Sequence, residues 1–187
     1  MSFTYTHRCI ALAFSFVVLL NFEPISANDI VSRTCETSAA RDPNVRLDFC
    51  LRSLAAAPGS DTADLYELGA ISIRLIGRNA TSTQRYIERL LKNEKKKSSS
   101  DSYIRPRLSD CEELYSDAVE TVGEAAAEYG RKRYDEVNVK LSSVMDAVTT
   151  CEDGFKEMES RVSPLTKRNG DVFELAAIAL CILDLRP

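Results

Sequence analysis

The amino-acid sequence predicts an all-α fold, an up-down-up-down four-helix bundle with an N-terminal helical hairpin extension and two disulfides. Helix breakers are scarce, with 7 glycines and 6 prolines among 187 residues, and no segment alternates apolar and polar residues as a strand would. Two later segments place apolar residues at steps of three and four, which is the period of one helix face. Cysteines stand where neighbouring helices would meet, so disulfides can join them.

The first 27 residues have the pattern of a secretory signal peptide. His7 and Arg8 give a positive start, and the uninterrupted apolar run CIALAFSFVVLL covers residues 9–20. A polar break with small residues then ends at Ala27. The run is too short and too weakly flanked for a transmembrane helix. We therefore expect cleavage after Ala27, secretion, and no membrane association afterwards.

Cleavage there leaves residues 28–187 as one domain, with the hairpin over 28–57 and the bundle over 61–187. It removes the only histidine and one of the six cysteines, and the net charge stays at −4. This negative charge argues against nucleic acid binding, which needs a basic surface. Without histidine a Ser-His or Cys-His catalytic pair is impossible, and no metal-ligand or phosphate-loop motif occurs. We expect no enzymatic activity, no cofactor, no metal and no nucleic acid partner.

The hairpin joins two short predicted helices, 29–40 and 44–56, across the break ARDPN. Helices this short are marginal on their own. Cys35 and Cys50 flank the break, and a bond between them would close a loop of about 15 residues, worth about 3 kcal/mol in the chain-entropy model. Such a bond would keep the hairpin folded outside the cell.

The first and last bundle helices are predicted from the loop signals around them. One runs from about Thr62 to Leu91, after a break in which Asp61 can act as the N-cap. The other runs from about Asp171 to Leu185, after the loop SPLTKRNGD. The expected inward residues are Leu65, Leu68, Ile71, Leu75, Ile87 and Leu90 in the first helix, and Val172, Leu175, Ala179 and Ile182 in the second.

The two segments with heptad spacing form the middle of the bundle. A turn near Arg131 would fold them into an antiparallel pair, with Cys111 twenty positions before it and Cys151 twenty after it. Both cysteines then lie at one height on the inward seam, so this geometry selects Cys111–Cys151 among the three pairings that four cysteines allow. The alternative is a pair of buried free thiols, which secreted proteins rarely keep. The inward residues are Leu108, Cys111, Tyr115, Ala118, Val122, Ala125 and Tyr129, then Tyr134, Val137, Leu141, Val144, Val148, Cys151 and Phe155.

Several segments together resemble the plant invertase and pectin methylesterase inhibitor family over essentially the whole mature chain. Besides the paired cysteines they are DFCLRSL (48–54), DCEELYSDAVE (110–120), YDEVNVKLSSVMDAVTTCEDGF (134–155) and SPLTKRN (163–169). The resemblance implies a four-helix bundle with a hairpin extension, and disulfides that join the first cysteine to the second and the third to the fourth. It also implies a secreted protein of the cell wall (apoplast) that covers the active cleft of a plant enzyme in a non-covalent one-to-one complex.

Two sets of contact residues bear on which enzyme is the target. In family members that block pectin methylesterase, three polar positions matter, and Glu113, Thr150 and Asp153 hold them here. In members that block invertase, a Pro-Lys-Phe turn enters the substrate cleft. The matching stretch here, Lys132-Arg133-Tyr134, lacks the proline. The resemblance therefore favours pectin methylesterase, with cell-wall or vacuolar invertase as the alternative.

Each set also has a simpler interpretation. The three polar residues can be ordinary solvated side chains, Lys132 and Arg133 can be solvated turn residues, and Tyr134 can begin the inward face of its helix. A protein of another class, a non-inhibitory secreted binding bundle or a pollen-allergen-like protein, would fit that interpretation. We expect a monomer or a weak dimer in either case.

Two further features concern modification and redox chemistry. Asn79-Ala80-Thr81 is the only N-glycosylation sequon in the mature chain, although it falls inside a predicted helix. Cys181 has no evident partner and is expected to be a buried free thiol, with intermolecular pairing as the alternative.

Overall fold

The computed structural model describes residues 27–94, 104–157 and 162–186. Regular structure in these ranges is entirely helical, which confirms the all-α prediction. Residues 1–26, which hold the predicted signal peptide up to its last residue, lie outside the described ranges. The helices are α1 (Ala27–Arg41), α2 (Leu47–Ala55), α3 (Leu65–Glu94), α4 (Arg105–Gly130), α5 (Tyr134–Lys156) and α6 (Thr166–Asp184).

Helices α3 to α6 pack as a four-helix bundle in which each helix contacts two others. α4 lies between α3 and α5, and α6 lies between α5 and α3. Consequently α3 and α5 occupy diagonal corners of the bundle. The link of residues 131–133 between α4 and α5 is short enough to require antiparallel neighbours. Within the described ranges, no helix has the length and apolar character needed to cross a membrane.

The predicted inward faces of α4 and α5 form the centre of the bundle. Every predicted inward residue of α4 is buried, and so is every one of α5 except Tyr134, which is half-buried. The disulfide between Cys111 and Cys151, with Cα atoms 5.0 Å apart, joins the two faces at the height that the antiparallel geometry predicts.

Helices α1 and α2 form the predicted hairpin, and the second disulfide, Cys35–Cys50, joins them. The hairpin packs on α6, which is therefore buried on two sides. Ala179 belongs to the core of the bundle, whereas Ile182 belongs to a second core shared with the hairpin. This position explains why α6 is apolar around most of its circumference rather than along one stripe.

One buried carboxylate fixes the hairpin against α6. Glu174, which is 5% exposed, accepts a 2.8 Å hydrogen bond from the backbone N–H of Arg46 at the N-cap of α2. Its other oxygen accepts bonds from Nε and Nη2 of Arg46 at 3.0 and 2.8 Å. The hydrogen bond and the charge of Glu174 raise the pKa of Arg46 above its ordinary value. The hairpin is thus attached by a polar contact as well as by apolar burial.

The predicted start of α3 was wrong by three residues. The helix begins at Leu65 because Asp64 and Glu67 form a capping box, and Asp61 is exposed and does not cap it. The N–H of Glu67 donates to Oδ1 of Asp64 at 2.7 Å, and the N–H of Asp64 donates to Oε2 of Glu67 at 2.9 Å. The inward face of α3 is also rotated slightly: Leu65, Leu75 and Leu90 are only half-buried, while Ile73, Ile76, Ala80, Thr83 and Leu91 are buried.

The last helix begins five residues earlier than predicted, at Thr166 instead of Asp171. The loop before it is closed by Ser163, whose Oγ accepts the N–H of Leu165 at 3.0 Å. Asn169 and Gly170 were predicted to lie in the loop before the helix, but they lie within α6. Asn169 is only 3% exposed, because its side chain is held by residues of α4 and α5.

Candidate functional site

An open groove of about 560 Å³ runs along the seam between α4 and α5, beside the Cys111–Cys151 bond. Glu113 from α4 and both Thr150 and Asp153 from α5 line this groove, and all three side chains are exposed. The disulfide aligns the two helices at this height, so residues next to each cysteine face the same surface. The rest of the lining consists of Arg107, Asp110, Leu114, Asp117, Gly154 and Glu157 with the two cysteines.

The groove is acidic. It is lined by five carboxylates, and Arg107 is the one cation in its lining. Nη1 of Arg107 lies 3.3 Å from Asp110 and its Nη2 lies 3.6 Å from Glu157, so this cation is shared between two acids. Within the described ranges, the acids do not form a cluster that could hold a metal ion. The groove therefore presents hydrogen-bond acceptors and negative charge to a partner.

The acids at the groove differ in how far they are neutralised. Asp153 accepts a 2.8 Å bond from Nζ of Lys156, and this bond raises the pKa of Lys156. Neither Glu113 nor Asp117 forms an ion pair with any residue that the structure describes. Glu113 is thus the member of the predicted set whose charge is most available to an incoming protein.

A buried polar network supports the groove from below. The hydroxyl of Tyr115, which is fully buried, donates to Oδ1 of Asn169 at 2.8 Å. Nδ2 of Asn169 donates to Oε2 of Glu152 at 2.7 Å and lies 3.6 Å from Sγ of Cys151. Desolvation raises the pKa of Tyr115, so the phenol stays protonated as the donor. The network joins α4, α5 and α6 behind the disulfide and fixes the backbone that carries Thr150 and Asp153.

Sequence reasoning missed this network. Tyr115 was assigned to the core only as an apolar residue, and Asn169 was assigned to a loop. Buried tyrosine hydroxyls usually find a partner, and that rule was the one available signal. The partner itself lies 54 residues away and belongs to a helix whose start was misplaced.

The second predicted set, Lys132-Arg133-Tyr134, covers the end of the turn between α4 and α5 and the first residue of α5. Glu128 makes ion pairs with both Arg131 and Arg133, so two of the three cations in the turn are neutralised. Burial opposes the charge of Glu128, but the hydrogen bond from Arg133 and the charges of both arginines lower its pKa below the ordinary value. Lys132 is exposed and has no ion pair among the described residues.

Tyr134 belongs to an aromatic cluster at the base of the turn. Its ring lies edge-on to Tyr129, with centroids 5.6 Å apart, and the guanidinium of Arg186 lies 3.2 Å from its centroid. Tyr129 in turn stacks on Tyr66 at 5.0 Å. Tyr134 therefore packs within the protein as much as it faces solvent, which agrees with the simpler interpretation given above.

The two predicted sets do not form one site. Glu113 and Gly130 are separated by seventeen residues of continuous helix α4, which corresponds to about 26 Å along the helix axis. A partner that fills the groove and a partner that receives the turn would approach different ends of the α4–α5 pair.

The remaining predicted positions lie away from both sets. Asn79 is half-buried in the middle of α3, and its Nδ2 donates to the carbonyl of Leu75 at 2.9 Å. Cys181 is a buried free thiol in the core between the hairpin and α6. Burial raises the pKa of this thiol, which keeps it protonated and unreactive.

Comparisons with known proteins agree with this architecture. Residues 29–182 match the family described as "Plant invertase/pectin methylesterase inhibitor". The chain belongs to this family. The family is one of enzyme inhibitors, in agreement with the expectation that the chain is not an enzyme.

Relatives within the inhibitor family carry both kinds of name. The chain is 45% identical to a "Putative invertase inhibitor" from Platanus acerifolia, over 92% of this chain and 93% of that protein. It is 27% identical to a "Pectinesterase inhibitor" from Actinidia deliciosa, over 100% of this chain and 98% of that protein. A mutant form of a pectin methylesterase inhibitor from Arabidopsis has the same fold, with a TM-score of 0.68, 22% identity, and coverage of 84% of this chain and 97% of that chain.

Proposed function

We propose that the protein is a secreted inhibitor of plant pectin methylesterase, which covers the active cleft of the enzyme in a non-covalent one-to-one complex. The observation that carries this proposal is the groove between α4 and α5. Glu113, Thr150 and Asp153 line it together, and these are the positions used by family members that block pectin methylesterase. The signal-peptide pattern of residues 1–27 supports secretion to the cell wall.

Inhibition through this groove requires recognition and no covalent chemistry. The carboxylates of Glu113 and Asp153 and the hydroxyl of Thr150 can accept hydrogen bonds from donors at the rim of the enzyme cleft. The disulfide and the Tyr115–Asn169 bond hold their helices in place before binding. A surface that is already ordered loses little conformational entropy on association, so more of the contact energy contributes to affinity.

The conformation of the α4–α5 turn weighs against inhibition through the turn. Lys132 has φ 59°, whereas proline fixes φ near about −65°. The N–H of Lys132 also donates to the carbonyl of Tyr129 at 3.0 Å, and proline has no N–H to donate. A Pro-Lys-Phe turn in this register would therefore need a different backbone from the one this chain adopts.

Inhibition of cell-wall or vacuolar invertase is the second candidate. It is favoured by the name of the 45% identical relative from Platanus acerifolia. Lys132 supports it as well, because this cation stands exposed and unpaired among the described residues at the tip of the turn.

A paired inhibition assay tests the proposal. Residues 28–187 are produced in an oxidising host, and the folded protein is titrated against a plant pectin methylesterase and a plant cell-wall invertase at about pH 5. We expect loss of esterase activity and retention of invertase activity.

Two outcomes would reject the assignment. Loss of invertase activity alone would show that the protein is an invertase inhibitor, and it would favour the turn at Lys132 as the binding site. If the disulfide-intact protein inhibited neither enzyme, the chain would be a non-inhibitory binding bundle with another partner.

A further inference from the structure

Helix α3 carries a row of positive charge on its outer surface, which we call the cationic stripe: Arg74, Arg78, Arg85, Arg89 and Lys92. All five side chains are exposed. At about 100° per residue the five positions fall within an arc of about 60°, and they span about 27 Å along the helix. One elongated face of α3 is therefore basic, although the whole chain has a net charge of −4.

The charges of the cationic stripe are not neutralised within the protein. No carboxylate of the described residues forms an ion pair with any of its five members, and Glu88 is the only acid between positions 74 and 92. Other exposed cations do form ion pairs, for example Lys156 with Asp153. The stripe thus keeps its full charge available to an external anion.

A sixth cation extends the stripe toward α6. The guanidinium of Arg168 lies 4.4 Å from the ring centroid of Tyr86, and that of Arg89 lies 5.6 Å from the same centroid. Nη1 of Arg168 also donates to Oγ of Ser82 at 3.4 Å. Two guanidinium groups beside one ring repel each other, and a carboxylate bound between them would relieve that repulsion.

The stripe and the acidic groove face different directions. The groove is lined by residues of α4, of α5 and of the C-cap of α5, while α3 occupies the corner of the bundle diagonal to α5. A partner bound along α3 would therefore leave the groove open to a protein.

We propose that the cationic stripe binds de-esterified pectin, a linear polymer of uronate residues. The extended row of unpaired cations complements a linear chain of regularly repeated carboxylates, and methyl-esterified pectin lacks those charges. The choice of this polymer rests on the proposed function, because pectin methylesterase produces these carboxylates from the ester. Binding would concentrate the inhibitor on wall regions where the enzyme has already acted.

Co-sedimentation tests this interaction with the folded chain 28–187. Wild-type protein should bind polygalacturonate at roughly 0.05 M salt and be released at roughly 0.5 M salt, because salt screens exposed charges. It should not bind fully methyl-esterified pectin. Arg85→Gln combined with Arg89→Gln should weaken binding roughly tenfold, whereas Arg85→Lys combined with Arg89→Lys should preserve most of it.

A matched control removes the same charge elsewhere. Arg41→Gln combined with Arg105→Gln changes two exposed arginines outside α3 and should leave polygalacturonate binding unchanged. An equal loss of polygalacturonate binding in both double variants would show that only the net charge matters, and it would overturn the proposal. Absence of salt-sensitive binding by the wild type would overturn it too, as would preferential capture by anionic phospholipid vesicles.

Inhibition of pectin methylesterase distinguishes this inference from the proposed function. The Arg85→Gln and Arg89→Gln double variant should inhibit the enzyme on a soluble, highly esterified substrate as well as the wild type does. A wild-type protein that binds polygalacturonate selectively but does not inhibit the enzyme would reject the proposed function and leave the stripe's ligand established. A protein that inhibits the enzyme without binding polygalacturonate would support the proposed function and reject the proposed ligand of the stripe.

Discussion

Lys132 occupies a backbone conformation that most residues avoid. Its φ of 59° lies in the left-handed region, which costs roughly 1–2 kcal/mol for a residue with a Cβ atom. Hydrogen bonds from the N–H groups of Lys132 and Arg133 to the carbonyls of Tyr129 and Glu128, both 3.0 Å, hold the chain there. The tight reversal that makes α4 and α5 antiparallel therefore depends on this one residue.

Substitutions of Lys132 test that dependence. Lys132→Pro should lower the free energy of unfolding by about 3 kcal/mol, because proline cannot adopt this φ and has no N–H. Lys132→Gly should raise it by up to about 1 kcal/mol, because glycine adopts a positive φ without a steric cost. Urea unfolding of the mature chain measures both changes, and a proline variant as stable as the wild type would show that the turn differs from this description.

Tyr115 illustrates how a single buried polar atom can organise three helices. Its hydroxyl is the donor to Asn169, which also contacts Glu152 next to the disulfide. Removing the hydroxyl leaves the acceptor oxygen of Asn169 buried without that partner, and such a group is costly away from water.

Tyr115→Phe should therefore lower the free energy of unfolding by about 1–3 kcal/mol. Tyr86→Phe is the matched control, because Tyr86 is half-buried and no hydrogen bond of its hydroxyl to a described residue occurs. Chemical denaturation compares the two variants. Equal stability of Tyr115→Phe and the wild type would mean that the network does not contribute to folding.

At the level of secondary-structure elements, α3 and α4 approach closely where a glycine meets a tyrosine. A Cβ atom at Gly69 would lie 2.7 Å from Cζ of Tyr129 and would clash with its hydroxyl oxygen. That hydroxyl donates to the carbonyl of Tyr66 at 2.9 Å, and burial raises the pKa of Tyr129 to about 12. The missing side chain at Gly69 makes room for this contact.

Gly69→Ala should consequently destabilise the protein by about 1–3 kcal/mol, since the added methyl group would displace a buried phenol that is hydrogen-bonded to Tyr66. Gly123 provides the control within α4, because a Cβ atom there meets nothing within 4 Å. Gly123→Ala should raise stability by about 0.5–1 kcal/mol through the better helix propensity of alanine. Thermal unfolding should move the two midpoints in opposite directions, and a shared direction would contradict this packing.

The end of α4 should also give stability a specific pH dependence. The pKa of Glu128 is lowered in the folded chain by Arg133 and Arg131, against the opposing effect of burial. Its contribution is therefore present above the ordinary carboxyl pKa of about 4.3 and is lost as the pH falls through the lowered value.

Glu128→Gln should reduce stability at about pH 7, and its difference from the wild type should shrink toward about pH 3. Glu120→Gln changes an exposed acid that has no ion pair among the described residues, and should differ little from the wild type at either pH. Urea titrations at both pH values measure the free energy of unfolding of each variant and of the wild type. A Glu128→Gln difference that stayed constant between them would show that its ion pairs do not contribute.

The elements differ in how well the sequence predicts them. The inward faces of α4 and α5 were predicted correctly except at the half-buried Tyr134, because a seam of period 3.5 points one way along the whole helix. The disulfide between them followed from the same register. The start of α6 was not predicted, since Asn169 and Gly170 have turn propensity and the contacts that make Asn169 helical come from other helices. Local pattern cannot supply that information.

On the scale of the whole molecule, charge is separated between two surfaces. Five carboxylates line the groove of α4 and α5, and the cationic stripe lies on α3, at a corner diagonal to α5. The net charge of −4 is a sum over all residues, so it does not show this separation. The positions of Glu113, Thr150 and Asp153 were predictable from resemblance and from the disulfide register. The absence of ion pairs at the α3 cations could not be predicted from the sequence, because it depends on where every surrounding carboxylate lies in the folded protein.

The affinity of pectin methylesterase for groove variants tests the central claim most directly. Glu113→Gln combined with Asp153→Asn removes two groove charges with little change of shape. Glu120→Gln combined with Asp146→Asn makes the same chemical change at exposed positions of α4 and α5 outside the groove lining. Isothermal titration at about pH 5 should show at least about tenfold weaker binding for the groove variant and a dissociation constant within about twofold of wild type for the control. Equal constants for both variants would contradict the claim that the enzyme binds at this groove.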